Sequence, residues 1–322
     1  MAPRYTIHQL EVFATVAERA SFSRAAEALH LTQPTVSMQV KQLAEALGVP
    51  LFEATTRGGG KQRTRVQLTA AGAEVLAAAR DISRAAQALD ERLSALAGLR
   101  RGRVRVCAAS TAEYFVPRLL GAFQQAHPGV EVELQVQNRR AVTQRMRNDE
   151  DDLYIMTRPP TDLPLLVEPF ADNPLVVVAP AKHPLVGVKR VPLAELAKHE
   201  WVLREEGAGT RLVADSFLAP RGIDLPTRLQ LGSNEAVKQA VIGGFGLAIL
   251  SLHVLRDEIL HHRRVRVVAV EGFPIAGRWH WVSRTGRRAS PGAEALQRFA
   301  AAQAPALAAD LAHLQVVASG RR

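Results

Sequence analysis

Four arginines in this chain, Arg139, Arg158, Arg204 and Arg211, and the hydroxyl and amide side chains of Ser110-Thr111, Asn138, Thr157 and Thr210 carry the groups that could hold an anion. A guanidinium is a planar fork of donors that keeps its charge and meets two oxygens of a carboxylate or phosphate together. Hydroxyls and amides add shorter-reach hydrogen bonds. This chemistry is capture of a small anion, with a surface salt bridge as the competing use of each arginine. A second set lies in one short stretch: Pro34, Ser37, Met38 and Lys41, flanked by Thr35 and Gln42. These side chains can touch base edges and phosphates. A third is the basic, glycine-rich run 54–66, where Arg57, Lys61, Arg63 and Arg65 surround Gly58-Gly59-Gly60. Its charge suits backbone or minor-groove contact, and a solvated charged loop is the alternative.

Residues for catalysis or metal binding do not assemble in this way. No nucleophile elbow, phosphate loop or histidine-zinc motif occurs. Gly243-Gly244-Phe245-Gly246 follows a helical pattern and precedes a strand, the reverse of a dinucleotide fingerprint, and reads as a helix C-cap. His261-His262 adjoin, so they lack the spacing of a helical metal pair. The acidic run Asp149 to Asp152 reads as a solvated helix end. Cys107 is the only cysteine, which excludes an intramolecular disulfide and a cysteine-rich metal site.

The elements that must position these groups follow from periodicity. Ile7, Leu10, Phe13 and Val16 recur at helical spacing. Ser21 caps a short second helix with Ala25, Ala26 and Leu29 buried, and Thr32 caps a third that carries Pro34 in its first turn. That helix runs to about Leu47 and stops at Gly48. Val36, Val40, Leu43 and Leu47 share its buried sector, which leaves Pro34, Ser37, Met38 and Lys41 outward. Two short helices and a tight turn with one polar face suit a major groove. The residues alone leave an ordinary three-helix bundle equally open.

Thr69 caps the next helix, which continues to about Ala97-Gly98. Val75, Ile82, Leu89 and Leu96 repeat every seven residues, with Ala79, Ala86 and Leu93 four later in each heptad. This pattern predicts a dimerisation seam; packing against its own domain is the alternative.

From Arg103 strands and helices alternate, which predicts α/β lobes with largely parallel sheets. Strands are expected at Val104 to Ala108, Val130 to Val136, Leu153 to Met156, Leu175 to Val178, Trp201 to Leu203, Arg228 to Leu231, Leu247 to Leu250 and Trp279 to Arg284. A closing helix is expected from Pro291 to Ala302, and the tail from about Pro305 is left as further helix or partly disordered. Two lobes joined by crossing strands enclose a cleft, and ligands of such folds sit at strand carboxyl ends and helix amino ends. Ser110, Thr111, Asn138, Arg139, Thr157, Arg158, Arg204, Thr210 and Arg211 occupy those positions. The divisions read are a three-helix unit with the basic run over 1–68, a linker helix over 69–99, two α/β lobes over 100–304 and a tail over 305–322.

Composition agrees with this layout. At 322 residues the chain suits two or three domains, and 47% hydrophobic with 22% charged residues argues against wholesale disorder. A net charge of +10 favours a polyanionic partner. The amino terminus leads into an amphipathic pattern and no apolar run is long enough to cross a bilayer, so the expectation is a cytoplasmic protein with no membrane partner.

Residues 22–37, Phe22-Ser23-Arg24-Ala25-Ala26 through Thr32-Gln33-Pro34-Thr35-Val36-Ser37, resemble the signature of LysR-type transcription regulators. Leu47-Gly48-Val49-Pro50-Leu51-Phe52-Glu53 and Leu68-Thr69-Ala70-Ala71-Gly72 continue the resemblance in order. It implies that 1–68 is a winged helix-turn-helix and 100–304 an effector domain, with DNA contact by Ser23, Arg24, Gln33, Pro34, Thr35, Ser37, Met38 and Lys41 together with the wing residues Arg57, Lys61, Arg63 and Arg65. Further implications are pairing through the linker helices into dimers or tetramers, contact with RNA polymerase, and effector binding at Ser110, Thr111 and Thr210. The second half resembles most the regulators of carbon-fixation operons, on residues 111–120, 148–156 and 233–241. Those respond to sugar phosphates, related phosphorylated intermediates or reduced nicotinamide nucleotide. The expectation is a homo-oligomeric regulator of a double-stranded operator, with no catalytic residues, no metal and no cofactor beyond a small anionic effector. An enzyme would show a clustered acid/base set. An exported solute-binding protein would show a signal peptide in place of a DNA reader.

Overall fold

A computed structural model describes residues 4–53, 66–96, 102–286 and 288–318. The chain divides into two compact units, Met1–Gly98 and Leu99–Arg322.

The first unit is helical. α1 (Ile7–Arg19) opens on a capping box in which Thr6 and Gln9 exchange side-chain and backbone bonds, and it buries Leu10, Val12, Phe13 and Val16. α2 (Phe22–Ala28) is capped by Ser21 and α3 (Gln33–Leu47) by Thr32. Gly48 ends α3 at φ +73°, a left-handed turn that costs glycine little. Val36, Val40 and Leu43 seat α3 on α1 and α2, with the Phe52 ring 5.3 Å from Phe13 and 5.7 Å from Phe22. Phe52 bridges to Leu68 across the base of the wing. α4 (Ala70–Leu96) starts at Thr69, whose hydroxyl accepts from the Gly72 N–H at 2.9 Å and donates to the Pro50 carbonyl at 2.7 Å. A β-carbon on Gly72 would lie 2.0 Å from the Leu51 carbonyl oxygen, so only glycine fits there.

The second unit holds two α/β lobes. In the first, β1 (Gly102–Ala109) runs parallel to β2 (Val130–Gln137) on one side and β3 (Leu153–Met156) on the other. α5 (Val116–Ala126) and α6 (Arg139–Arg147) connect them, α5 preceded by a tight helical turn at Ser110–Tyr114. β4 (Leu165–Asp172) leads to the second lobe. There β5 (Leu175–Pro180) lies between two antiparallel partners, β8 (Ala248–Ser251) and β9 (Val265–Val268). β6 (Trp201–Arg204) pairs in parallel with β7 (Thr227–Leu231), and α7 (Gly209–Leu218) and α8 (Asn234–Ile242) cover this lobe. β10 (Arg278–Arg284) returns to the first lobe, antiparallel to both β3 and β4, giving the order β2-β1-β3-β10-β4.

Three expectations are corrected. The sheets are not largely parallel: among the described residues the β2-β1-β3 block and the β6-β7 pair are parallel, whereas β10 runs against β3 and β4, and β5 against β8 and β9. The closing helix does not stop near Ala302, and of the two alternatives for the segment from Pro305 the structure takes further helix. α9 (Pro291–Ala318) continues through Pro305; Ala293, Leu296 and Ala300 pack in the first lobe's core, and Leu311 and Leu314 in the second's. The acidic run is not simply solvated. Asp151 is 2% exposed and clasped by Arg145, whose Nε and one terminal nitrogen each donate at 2.8 Å. Asp152 accepts from the Arg105 N–H at 2.8 Å.

Candidate functional site

On the first unit the outward face of α3 presents Gln33, Pro34, Ser37, Met38 and Lys41, all exposed. Met38 is 50% exposed, a large apolar side chain left open among polar neighbours. Lys41 meets Glu45 at 3.7 Å, with both side chains more than half in solvent, a pairing too weak to hold the ammonium away from a phosphate. Ser23 donates to Gln33 at 3.4 Å, tying α2 to the start of α3, and Arg24 bonds back to the Arg19 carbonyl. Thr35 is half-buried, and its hydroxyl pairs with that of Thr32 at 2.8 Å at the start of α3. Arg57, Lys61, Arg63 and Arg65 lie outside the described residues.

The linker seam divides. Val75, Leu76, Ala79 and Ile82 pack into the core of their own unit, beside an ion pair between Arg80 and Glu18 at 3.2 Å. Val75 and Ile82 are thus partly buried against their own domain, the surface that the alternative reading of the heptads named. Leu89 and Leu93 remain 56% and 54% exposed on the distal part of α4. The side chain of Leu96 lies outside the described residues.

In the second unit Ala109, Ser110 and Thr111 at the end of β1 meet Arg139 from the start of α6, Met156, Thr157 and Arg158 after β3, and Trp279. Arg204, Ala208 and Gly209 face them from the second lobe. The enclosed cavity is about 10 Å³, room for about one water, so this cleft is closed. Arg139 donates to the Arg158 carbonyl at 3.0 Å, and burial presses its pKa below the ordinary guanidinium value while Asp162 acts the other way. Among the described residues neither Arg139 nor Arg158 is in a contact ion pair. Two guanidinium groups thus border one cleft on the same lobe without a carboxylate in contact, Arg139 half-buried and Arg158 exposed. Trp279 is fully buried there, and its indole Nε1 has no hydrogen-bond partner among the described residues.

Other expected residues are not gathered in. Asn138 is exposed and caps α6, its side-chain oxygen accepting from the Ala141 N–H at 2.9 Å. Arg211 points along its own helix, its Nε 2.8 and 2.9 Å from the two oxygens of Asp215. Thr210 is buried at the start of α7 but does not line the cavity. Arg204 lines it but is spent within the protein, its Nε and a terminal nitrogen donating to Glu205 at 2.7 and 2.9 Å. Its other terminal nitrogen donates to Asn234 at 2.6 Å. Glu205 escaped the sequence reading, whereas Asn234 was read only as the residue opening α8 at a ligand-facing helix start. A larger cavity of about 250 Å³ lies between β4, Phe115, His253 and α9, lined mostly by apolar groups, its Arg278 standing 3.6 Å from Asp172. It lacks the converging donors of the cleft.

A two-lobed effector fold behind a helix-turn-helix defines a ligand-responsive regulator. Residues 7–73 match the bacterial regulatory helix-turn-helix of the lysR family, and residues 97–305 match the LysR substrate binding domain. The chain is 44% identical over 294 residues to the RuBisCO operon transcriptional regulator of Acidithiobacillus ferrooxidans, covering 91% of this chain and 93% of that one. The CcmR regulatory domain of Synechocystis, solved in complex with 2-PG, is 41% identical, with a TM-score of 0.60 over 63% of this chain and 97% of that one. Full-length OxyR from Pseudomonas aeruginosa shares the fold at 24% identity, with a TM-score of 0.72 over 92% of this chain and 93% of that one. This chain belongs to the LysR family of transcriptional regulators. It is a DNA-binding regulator and not an enzyme. Among the described residues no helix is long and apolar enough to cross a membrane.

Proposed function

We propose that this regulator controls carbon-fixation genes in response to a small phosphorylated anion bound at the cleft between its lobes. The observation that carries the reading is the pair Arg139 and Arg158, two cationic groups bordering the cleft with no counter-ion in contact. Binding a dianion there would compensate charge already partly withdrawn from water. The likeness to a RuBisCO operon regulator and to a domain solved with 2-PG supports both the gene class and the ligand class. α3 reads base edges through Gln33, Ser37 and Met38, while Lys41 and the wing basics hold phosphates. Leu89 and Leu93 offer a site for a second copy, which would let two readers span a dyad-symmetric operator in the cytoplasm and meet RNA polymerase.

About 10 Å³ does not hold a metabolite, so binding requires the lining side chains to move aside, and an effector that favours that arrangement shifts the population toward it. The experiment is fluorescence anisotropy on DNA upstream of carbon-fixation genes, titrated with and without 2-PG and other phosphorylated metabolites. Specific binding whose affinity or DNA bending changes with a phosphorylated compound is expected. A response confined to unphosphorylated carboxylates would overturn the ligand class, and absence of specific binding would overturn the gene class.

A further inference from the structure

This inference rests on the reading of the cleft as the effector site. Thr111 borders the cleft and is 7% exposed; its hydroxyl oxygen accepts a hydrogen bond from Asn234 Nδ2 at 3.0 Å. Asn234 is wholly buried and belongs to the opposite lobe, at the start of α8. The orientation of its amide is dictated by its other neighbour. Arg204 donates to Asn234 Oδ1 at 2.6 Å, and a guanidinium has no acceptor, so the amide oxygen must face Arg204 and the nitrogen must face Thr111. Arg204 is itself fixed by Glu205 at 2.7 and 2.9 Å and by the Gly232 carbonyl at 3.4 Å.

The direction of each bond therefore passes along the chain from Glu205 to Arg204, to Asn234, to Thr111. A hydroxyl that accepts from an N–H still holds a proton to donate elsewhere, and the Thr111 hydroxyl donates to no acceptor among the described residues. We propose that Asn234 is a positioning residue that fixes Thr111 as a hydrogen-bond donor to the effector, so that the atom meeting Thr111 must be an acceptor such as a phosphate or carboxylate oxygen. Arg204, bordering the cleft but saturated by Glu205, sets this polarity and leaves attraction of the anion to Arg139 and Arg158.

The test is calorimetric titration of the full-length protein with 2-PG and, separately, inorganic phosphate. Thr111→Val should weaken binding roughly tenfold to a hundredfold, the value of one hydrogen bond to an anion. Thr111→Ser should restore most of it. Asn234→Leu leaves the hydroxyl free to turn and should weaken binding roughly fivefold, yet add nothing in the Thr111→Val background. Should Asn234→Leu not fold, Asn234→Asp keeps the shape, takes the Thr111 proton for itself, and should weaken binding further. Position 234 variants that bind like the parent, or effects that simply add to Thr111→Val, would overturn the relay while leaving the cleft reading intact. If the unmodified chain binds neither compound, the cleft reading falls, and the relay with it.

Discussion

Gly209 stands so close to Thr157 that a β-carbon on it would lie 2.7 Å from the threonine hydroxyl. One residue opens α7 in the second lobe and the other follows β3 in the first, so the absence of a side chain lets the lobes meet. Gly209→Ala should wedge them apart and cost about 1–3 kcal/mol of overpacking. Thr157→Ala in the same chain should return most of that loss. Thermal unfolding of the single and double variants checks this, and equal melting temperatures in all of them would remove the contact from the account.

The DNA-reading face makes a different kind of prediction. Lys41 carries its charge into solvent with only a loose partner in Glu45. Lys41→Ala should weaken operator binding and lower the slope of log affinity against log salt by about one, the signature of a lost phosphate contact. A salt titration with the unchanged slope would place Lys41 off the duplex. Ser37→Ala should instead alter sequence preference while leaving the slope as it was.

Beneath the first lobe, Arg145 and Asp151 form a forked pair with the carboxylate almost wholly buried. Tyr154 braces it, donating to the Arg145 carbonyl and accepting from the Asp151 N–H, each at 3.0 Å. Arg145→Met would strand the carboxylate and should cost about 3 kcal/mol in chemical denaturation. Adding Asp151→Asn should recover much of that, because the remaining amide carries no charge. If the double variant is no more stable than Arg145→Met, the pair is not what the loss measures.

Acid should weaken the second unit. Burial is the leading cause that lowers the pKa of His183, His253 and His280. For each, the unfolded chain takes up a proton before the folded one does. Stability is thus full above the ordinary histidine value and falls as pH drops through it. His253, stacked 5.0 Å from Phe115 and bonded to the Asp172 carbonyl at 3.0 Å, is the most enclosed by its neighbours. Melting temperature followed from pH 8 to pH 5 should decline, and His253→Gln should flatten part of the decline. A pH-independent melt would contradict the assignment.

The helix-turn-helix was legible because each helix carries its own cap and a stripe at 3.6-residue spacing; Thr32, Pro34, Val36 and Gly48 state where α3 begins, which way it faces and where it ends. The cleft was legible only as positions along strands. Arg139 and Arg158 were found that way, whereas Arg211 sits at an equally plausible helix start but turns along α7 to Asp215. Which side a side chain leaves from depends on packing across lobes, and a local pattern is silent on that. β4 was missed for a related reason: it is an edge strand with mostly exposed residues and Pro169 within it, tolerable because an edge leaves one row of backbone groups unpaired. The heptads of α4 were real, but periodicity names a buried stripe without saying whose surface buries it.

α9 is rooted at one end among Ala293, Leu296 and Ala300 and at the other among Leu311 and Leu314. It therefore acts as a splint across the two halves of the sensor. Any swing that admits a metabolite must either bend that rod, most easily where Pro305 has already removed a hydrogen bond, or slide its far end over the second lobe. If the lobes move when a ligand binds, the stiffness of one helix would limit how far they can travel.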